Sequence, residues 1–404
     1  MEKLNPSPNL KGRFCPLPFS SIELHLNKKA FVCCPTWLKK DIGTYTKENI
    51  LEIWNSKEAQ EIRESIIDGS YRYCDHFTCP HIQANTLPEI QQLPEQIRSD
   101  IAEKKVSLSH PPSTVMFTFD TSCNLTCPSC RSEKNSLTSD SPQYFELKEL
   151  SLEITRVLLQ NPHSHININL TGSGDPFASL VYRHYLEQID GSLYPNLSFD
   201  FQTNGLLLTP LMWERIHKIH KKIREICVSI DAITPETYSV LRKGGNFETV
   251  MENMKFIAQL RKERKFHHLR VNFIVQQKNY REIPAFAKFF SQLGCDKIYF
   301  SKIEDWGSMS SENFLEQAVW RESHPDHQHF LAVLADPFLT HHTVSLGNIS
   351  SFYQIAIKKK MESMSKLSLF FYKISIFFNY NFLKRKFFRT LEKIIDQVKH
   401  HRPN

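Results

Sequence analysis

Short apolar runs alternate with longer stretches of helical periodicity over much of this chain. Runs of this length without helical spacing predict buried strands, and they occur at 115–119, 166–170, 197–201, 225–230, 270–275 and 297–301. Between them, apolar residues recur at the spacing of amphipathic helices, near 143–160, 176–188, 209–221, 246–262 and 281–293. Strand–helix alternation indicates parallel strands joined by crossover helices, in an open sheet or a barrel. We therefore expect an α/β fold whose ligands collect at the carboxyl ends of its strands.

The amino-terminal part follows a different pattern. Short extended stretches at 21–26 and 30–33 precede a helical pattern around 49–67. This combination predicts a small, cysteine-rich α+β module over residues 1–90. The polar segment that follows, with several prolines, is typical of a linker. We divide the chain into this module (1–90), the linker (91–112), a strand–helix domain (113–310), an extension of that domain (311–350) and a tail (351–404).

Length and composition limit the possible number of domains and the state of the cysteines. The chain has 404 residues, 41% of them hydrophobic, which is enough for two or three domains with a core. No apolar run reaches the roughly 18–20 residues of a spanning helix, and residues 1–12 carry no apolar leader. We therefore expect a cytoplasmic protein. Its ten cysteines should then stay reduced, which favours metal ligation over disulfides.

The positive charge is concentrated in the tail. Residues 351–404 hold 12 Lys and Arg against three acids, so the net charge of +7 is +9 in the tail and −2 elsewhere. We therefore expect no nucleic-acid partner for the body of the protein. The tail also carries a dense apolar set, namely Leu369, Phe370, Phe371, Ile374, Phe377, Phe378, Phe382, Phe387 and Phe388. These helical residues either pack against the domain or contact an anionic membrane surface peripherally.

A cysteine-rich loop directly follows the first strand of the alternating region. Cys123, Cys127 and Cys130 have the spacing C-x3-C-x2-C. Three thiolates can each bind one iron of a cubane and leave the fourth iron open for an external chelator. The alternatives are a zinc site or thiols without a ligand role. Zinc normally takes four protein ligands, and no nearby Cys or His completes such a set.

On these residues, the chain resembles the radical S-adenosylmethionine (SAM) superfamily, whose cysteine loop follows the first strand of a partial (β/α)6 barrel. The resemblance spans about 114–304. It implies a [4Fe–4S] cluster on Cys123, Cys127 and Cys130, SAM at the open iron, and an external reductant of the flavodoxin or ferredoxin type. The reaction would begin with a 5′-deoxyadenosyl radical. Ser129 stands where the family often has a bulky residue, so packing against the adenine is expected to differ.

Further stretches after the strands are similar to the family's cofactor motifs. Asp175 stands where the family's Gly-Gly-Glu motif has Glu, and Arg242 could offer a planar fork to a carboxylate. Taken singly, these stretches are also explained as an ordinary turn and a solvated charge. The resemblance implies cofactor contacts at Gly172, Gly174, Asp175, Asn204, Ser229, Asp231 and Arg242. It leaves the catalytic residues unassigned.

The amino-terminal module resembles the SPASM/Twitch auxiliary-cluster domain. The match rests on Cys-Pro and Cys-Cys-Pro stretches, Ile53-Trp-Asn-Ser56 and a C-x4-C-P pair. It implies a second [4Fe–4S] cluster held by Cys15, Cys33, Cys74 and Cys79. Cys34 is then spare, and four cysteines would also satisfy zinc. Lys28 replaces the family's usual glycine, and the module precedes the barrel instead of following it.

The residues and the resemblance together favour a radical SAM enzyme that abstracts hydrogen from a peptide, a sugar or another small metabolite. Two other hypotheses are an iron–sulfur electron carrier and a zinc-bearing binding scaffold. The cofactor motifs after the strands argue against an electron carrier, because it needs no such pocket. Cys227 and Cys295 are expected to be buried, small hydrophobic residues outside the site.

Overall fold

A ten-stranded sheet organises the protein in the computed structural model, which describes residues 10–83, 85–161, 164–170 and 173–380. Along the chain the strands are β1 (Ser21–His25), β2 (Lys29–Phe31), β3 (Gly43–Thr44), β4 (Thr114–Thr118), β5 (Ile166–Leu170), β6 (Leu197–Thr203), β7 (Ile223–Ser229), β8 (His268–Val275), β9 (Lys297–Lys302) and β10 (Val344–Ser345). In space they follow the order β10-β9-β8-β7-β6-β5-β4-β1-β2-β3. Strands β4 to β9 are parallel, as the alternating pattern predicts. The additional strand β10 is parallel to β9.

The amino-terminal module joins this sheet directly. Its helices are α1 (Leu17–Ser20), α2 (Ile50–Trp54), α3 (Lys57–Ile67) and α4 (Pro80–Gln83), and α5 (Glu95–Ala102) follows them. Strand β1 pairs in parallel with β4, from Ser21 opposite Thr114 to His25 opposite Thr118. At the other end of the row of parallel strands, α4 contacts the short 3-10 helix Gly347–Ile349 that follows β10. The module therefore connects the first and last of the parallel strands.

The segment predicted as a linker is packed against this module. It contains α5, and the Trp54 indole donates to the carbonyl of His110 at 2.9 Å. Arg63, which is fully buried, donates to the carbonyls of Pro18 at 2.8 Å and Val106 at 2.7 Å. Each hydrogen bond to a charged donor contributes about 1.5–3 kcal/mol. Arg63 thus anchors α1, and the cysteine before it, to the segment that leads into β4.

Crossover helices connect successive parallel strands. They are α6 (Pro142–Leu158), α7 (Leu180–Gln188), α8 (Pro210–Arg215), α9 (Pro235–Leu241), α10 (Phe247–Lys262) and α11 (Ile283–Leu293). Ser141, Thr209 and Asn246 cap the starts of α6, α8 and α10 with side-chain acceptors. Helix α7 begins four residues later than its apolar pattern predicts, because Asp175 instead holds a turn before it.

The carboxyl-terminal helices pack on the far end of the sheet. They are α12 (Ser311–Gln317), α13 (His327–Leu334), α14 (Ser350–Glu362) and α15 (Lys366–Tyr380). The Phe352 ring of α14 lies 6.0 Å from the ring of Phe330 on α13. In α15, Tyr372 is buried and its hydroxyl donates to the carbonyl of Ala335 at 2.9 Å. Part of the tail is thus packed, as one of the two interpretations predicts.

Other parts of α15 face outwards. Phe370 and Phe371 are 59% and 54% exposed. Among the described residues, no helix is long and apolar enough to cross a membrane. Three further tail residues lie outside the described part of the chain, namely Phe382, Phe387 and Phe388.

Candidate functional site

A cavity of about 610 Å³ opens at the carboxyl ends of the parallel strands. The register places Ser229 opposite Asn272 and Asn272 opposite Tyr299, so these lining residues form one polar row across β7, β8 and β9. The buried Oδ1 of Asn272 has no hydrogen-bond partner among the described residues. A buried acceptor without a partner is costly. It therefore marks the row as a surface for a polar ligand.

The three cysteines of the loop after β4 lie at one end of this cavity. Cys127 and Cys130 line it, and Cys123 is half-buried beside them. The Cys123 amide donates to the carbonyl of Asn135 at 2.9 Å, and the Thr126 amide donates to the carbonyl of Lys243 at 3.0 Å. These bonds hold the loop against residues that are distant in sequence. They present the thiols without relying on regular secondary structure.

An ion pair lies beside the second cysteine. Arg242 Nη2 is 2.8 Å from Asp231 Oδ2, and Arg242 Nη1 is 3.8 Å from Cys127 Sγ. Asp231 Oδ1 also accepts from the amide of Ile274 at 2.8 Å. Burial raises the pKa of Cys127 and of Asp231, and the nearby Arg242 charge opposes both shifts. Asp231 therefore fixes the guanidinium at the cavity wall. Ser229, Asp231 and Arg242 all line the cavity.

Asp175 lies in the turn after β5, at the motif for which the resemblance implies a cofactor contact. Its carboxylate is buried and lies outside the cavity lining. Oδ2 accepts from Thr203 Oγ1 at 2.7 Å and from the Asn204 amide at 2.8 Å, while Oδ1 accepts two backbone amides of the following turn. Asn204 in turn donates to Asn124 Oδ1 at 2.8 Å, and its Nδ2 lies 3.9 Å from Cys123 Sγ. Asp175 thus supports the cysteine loop through Asn204.

The turn that carries Asp175 crosses the cysteine loop at close range. A Cβ on Gly174 would lie 2.6 Å from the carbonyl oxygen of Ser122, so only glycine fits without movement. The amide of Asp175 donates to that same carbonyl at 2.8 Å. Gly172, the other glycine of this motif, lies outside the described residues.

Arg131 is a site residue that the sequence interpretation missed. Its guanidinium donates to the carbonyls of Thr121, at 2.7 Å, and Ser173, and Nη2 lies 3.6 Å from Cys130 Sγ. It therefore connects the cysteine loop to the turn after β5. The only signal in the sequence is a basic residue next to the third cysteine, and many surface arginines would give the same signal.

A second set of cysteines lies in the amino-terminal module. Four of them line a small enclosed cavity with apolar neighbours, namely Cys15, Cys33, Cys74 and Cys79. Cys34 is not part of that lining. Burial raises the pKa of Cys15 and of Cys74 to about 12. Lys28, which replaces the expected glycine, has the left-handed φ of +61° that glycine adopts readily.

The number of thiols at each site fits an iron–sulfur cluster. The three thiolates of the loop after β4 would leave one iron of a cubane without a protein ligand. The four thiolates that line the module cavity would ligate all four irons, and four cysteines also satisfy tetrahedral zinc. Cluster cations would also offset the cost of ionising thiols that burial keeps protonated.

Comparison with family models gives two matches. Residues 119–290 match the model of the radical SAM superfamily, and residues 15–80 match the model of the SPASM iron–sulfur cluster-binding domain. The SPASM match therefore lies before the radical SAM match, in the order that the cysteine patterns predict.

Individual relatives are more distant. A probable GTP 3′,8-cyclase from Methanocaldococcus jannaschii is 25% identical over 172 residues, which are 43% of this chain and 53% of that protein. The match thus spans about half the length of this curated relative. Streptococcus suis SuiB bound to the precursor peptide SuiA is 13% identical, with 78% of this chain and 70% of that chain covered and a TM-score of 0.42. Native anSMEcpe with bound AdoMet and Cp18Cys peptide is 17% identical, with coverages of 54% and 55% and a TM-score of 0.38.

Proposed function

This chain is a radical SAM protein with an amino-terminal SPASM domain, and we propose that it is an enzyme that abstracts hydrogen from an organic substrate held in the cavity at the strand ends. When bound, a reduced [4Fe–4S] cluster with SAM at its open iron supplies the radical for this abstraction. The protein's own residues hold, orient and shield these partners.

The observation that carries the proposal is the cysteine loop at the edge of a large cavity that is lined by both polar and apolar residues. A volume of about 610 Å³ lies within the range of roughly 300–1,000 Å³ that is typical of small-molecule sites. An electron carrier has no use for such a cavity, so this alternative is disfavoured. Arg242, held by Asp231, offers a cation to a ligand carboxylate at the wall. The row of Ser229, Asn272 and Tyr299 offers hydrogen-bonding groups next to it.

We assign the first cluster to the loop Cys123, Cys127 and Cys130. Asn204 and Arg131 position this loop by hydrogen bonds on either side of it. We assign the auxiliary cluster to the four cysteines that line the enclosed cavity of the module, Cys15, Cys33, Cys74 and Cys79. Since all ligands of that cluster come from the protein, it has no open iron for SAM.

We assign four of the lining residues that lie outside the cofactor motifs to the substrate. They are Trp37, Lys302, Glu304 and Trp306. Lys302 Nζ lies 3.5 Å from Glu304 Oε1, and Asn348 donates to the same oxygen at 3.1 Å. This paired carboxylate and the indoles provide both polar and apolar contacts for a substrate.

The test is anaerobic reconstitution followed by reduction in the presence of SAM, with 5′-deoxyadenosine as the measured product. Replacing Cys123, Cys127 and Cys130 together with Ala should reduce its formation to background. The matched control is Cys295→Ala, which removes a buried thiol outside both sites and should retain cleavage. Wild-type rates in the triple variant would refute the proposal.

A further inference from the structure

Trp37 forms a wall that two cavities share. It lines the large cavity at the strand ends and also the small cavity enclosed by the four module cysteines. Its backbone is held at both sides, because its amide donates to the carbonyl of Cys34 at 3.2 Å and its carbonyl accepts from the amide of Asp75 at 2.7 Å. Asp75 directly follows Cys74. Trp37 is thus fixed between two cysteine-bearing segments of the module.

The indole of Trp37 makes a direct hydrogen bond to a cysteine sulfur. Its Nε1–H donates to Cys33 Sγ at 3.0 Å. Hydrogen bonds to the sulfurs of an iron–sulfur cluster stabilise the electron-rich reduced form, so they raise its reduction potential. The hydrogen bond therefore links the Trp37 indole to the auxiliary site.

The ring of Trp37 also lies close to a second indole that lines the large cavity. It lies 6.5 Å from the ring of Trp306, with an angle of 54° between the planes. Pro80, which follows Cys79, also lines the cavity. The module therefore contributes to the wall of the large cavity through residues next to its own cysteines.

We propose that Trp37 is a positioning residue that sets the reduction potential of the auxiliary cluster through its N–H and screens that cluster from the large cavity with its ring. The inference rests on the proposed function, since Cys33 must ligate a cluster. It separates two roles of a single side chain. Phe keeps the ring and removes the N–H, whereas Ala removes both.

The experiment uses the full chain with Cys123, Cys127 and Cys130 replaced by Ala, so that the remaining signal comes from the auxiliary site alone. The potential is measured by a redox titration followed by electron paramagnetic resonance. Trp37→Phe should make the reduction potential of the auxiliary cluster more negative. The expected shift is about 59 mV, which for one electron is a tenfold change in the ratio of reduced to oxidised cluster. Repeating the titration on the chain with all cysteines intact provides a second measurement if the triple variant does not fold.

Trp320→Phe is the matched control. This substitution removes an indole N–H that has no hydrogen-bond partner among the described residues. Trp320 is not part of either cavity lining. The auxiliary potential should therefore stay at its original value. An equal shift in Trp320→Phe and Trp37→Phe, or no shift in Trp37→Phe, would overturn the role of the N–H.

The screening role is tested by the rate at which the auxiliary cluster bleaches in air. The auxiliary cluster should bleach several-fold faster in Trp37→Ala than in Trp37→Phe, because only the Ala variant has no ring between the two cavities. Equal rates would overturn this part of the inference. Protein with zinc in place of the auxiliary cluster would refute the assignment of that cluster, since no paramagnetic auxiliary signal would exist in any variant. The proposed function is tested separately, by 5′-deoxyadenosine formation in the protein with all cysteines intact.

Discussion

Gly174→Ala should disturb the cysteine loop without touching a cysteine. The added Cβ would lie 2.6 Å from the carbonyl oxygen of Ser122 and 2.9 Å from that of Asp120. Ordinary contacts of this kind begin at 3.4 Å, so the two segments must separate by roughly 0.8 Å at the closest point. Both opposing atoms belong to the backbone, and no side-chain rotation can relieve the contact. The loop and the turn must therefore move relative to each other.

Such a movement affects both stability and the site. Forcing an extra methyl group into a packed contact typically costs about 1–3 kcal/mol. The same crossing holds the bond of 2.8 Å from the Asp175 amide to the carbonyl of Ser122, which directly precedes Cys123. Functional groups usually need to stay within about 0.5 Å of their working geometry. We expect the variant to lose most of the iron bound by the cysteine loop after β4, and most of the SAM cleavage.

Two measurements check this reasoning. The urea midpoint of the metal-free protein reports the cost to stability, and iron content with 5′-deoxyadenosine formation reports the site. Ser173→Ala is the control, because it changes the neighbouring residue without adding an atom. A Gly174→Ala variant with unchanged midpoint, iron content and cleavage would show that this crossing does not position the loop.

Four further predictions follow from the same structure. Arg242→Lys cannot span Asp231 and Cys127 with a planar fork, so the KM for SAM should rise about tenfold or more while the iron content is retained; an unchanged KM would contradict a cofactor role. Asp175→Asn places an amide NH₂ opposite groups that donate hydrogen bonds to the carboxylate, so it should cost about 1–3 kcal/mol of stability, measured by urea unfolding. An unchanged stability would argue against the supporting role of Asp175. Reconstituted protein should contain about eight irons and eight sulfides, from two cubanes, whereas four irons and one zinc would disprove the auxiliary cluster. Deleting residues 351–404 should lower the melting temperature, because it removes packed helices; retained stability with lost sedimentation on anionic vesicles would favour the membrane interpretation instead.

Much of the fold could be predicted from local patterns. The six predicted strands of the alternating region agree with β4 to β9 to within two residues at each end, because a buried parallel strand needs a continuous apolar run. The ends of the helices were harder to predict. The pattern at 209–221 ends as α-helix at Arg215 and continues as a 3-10 helix to Lys222, and apolar spacing does not distinguish these two forms.

The cysteine sets were recognisable from the sequence for a related reason. The three cysteines after β4 lie within eight residues of one another, and short chain distance alone keeps their thiols near one another. The module cysteines are up to 64 residues apart, from Cys15 to Cys79. Their convergence on one cavity, with Cys34 outside it, depends on how the module folds.

The roles of individual side chains were decided by tertiary structure. The sequence by itself determined the alternating elements and the cysteine spacing, because the elements follow from periodicity and the spacing is read directly from the chain. The number of ligands in the loop favoured a cubane, and the resemblance to a family implied the cofactor. The sequence did not determine that Asp175 accepts from Thr203 and Asn204, or that Trp37 lines two cavities. These positions follow from strand register and from the parallel pairing of β1 with β4. Such long-range pairings leave no periodic signal in the chain, since they depend on which surfaces fit together once the sheet has formed.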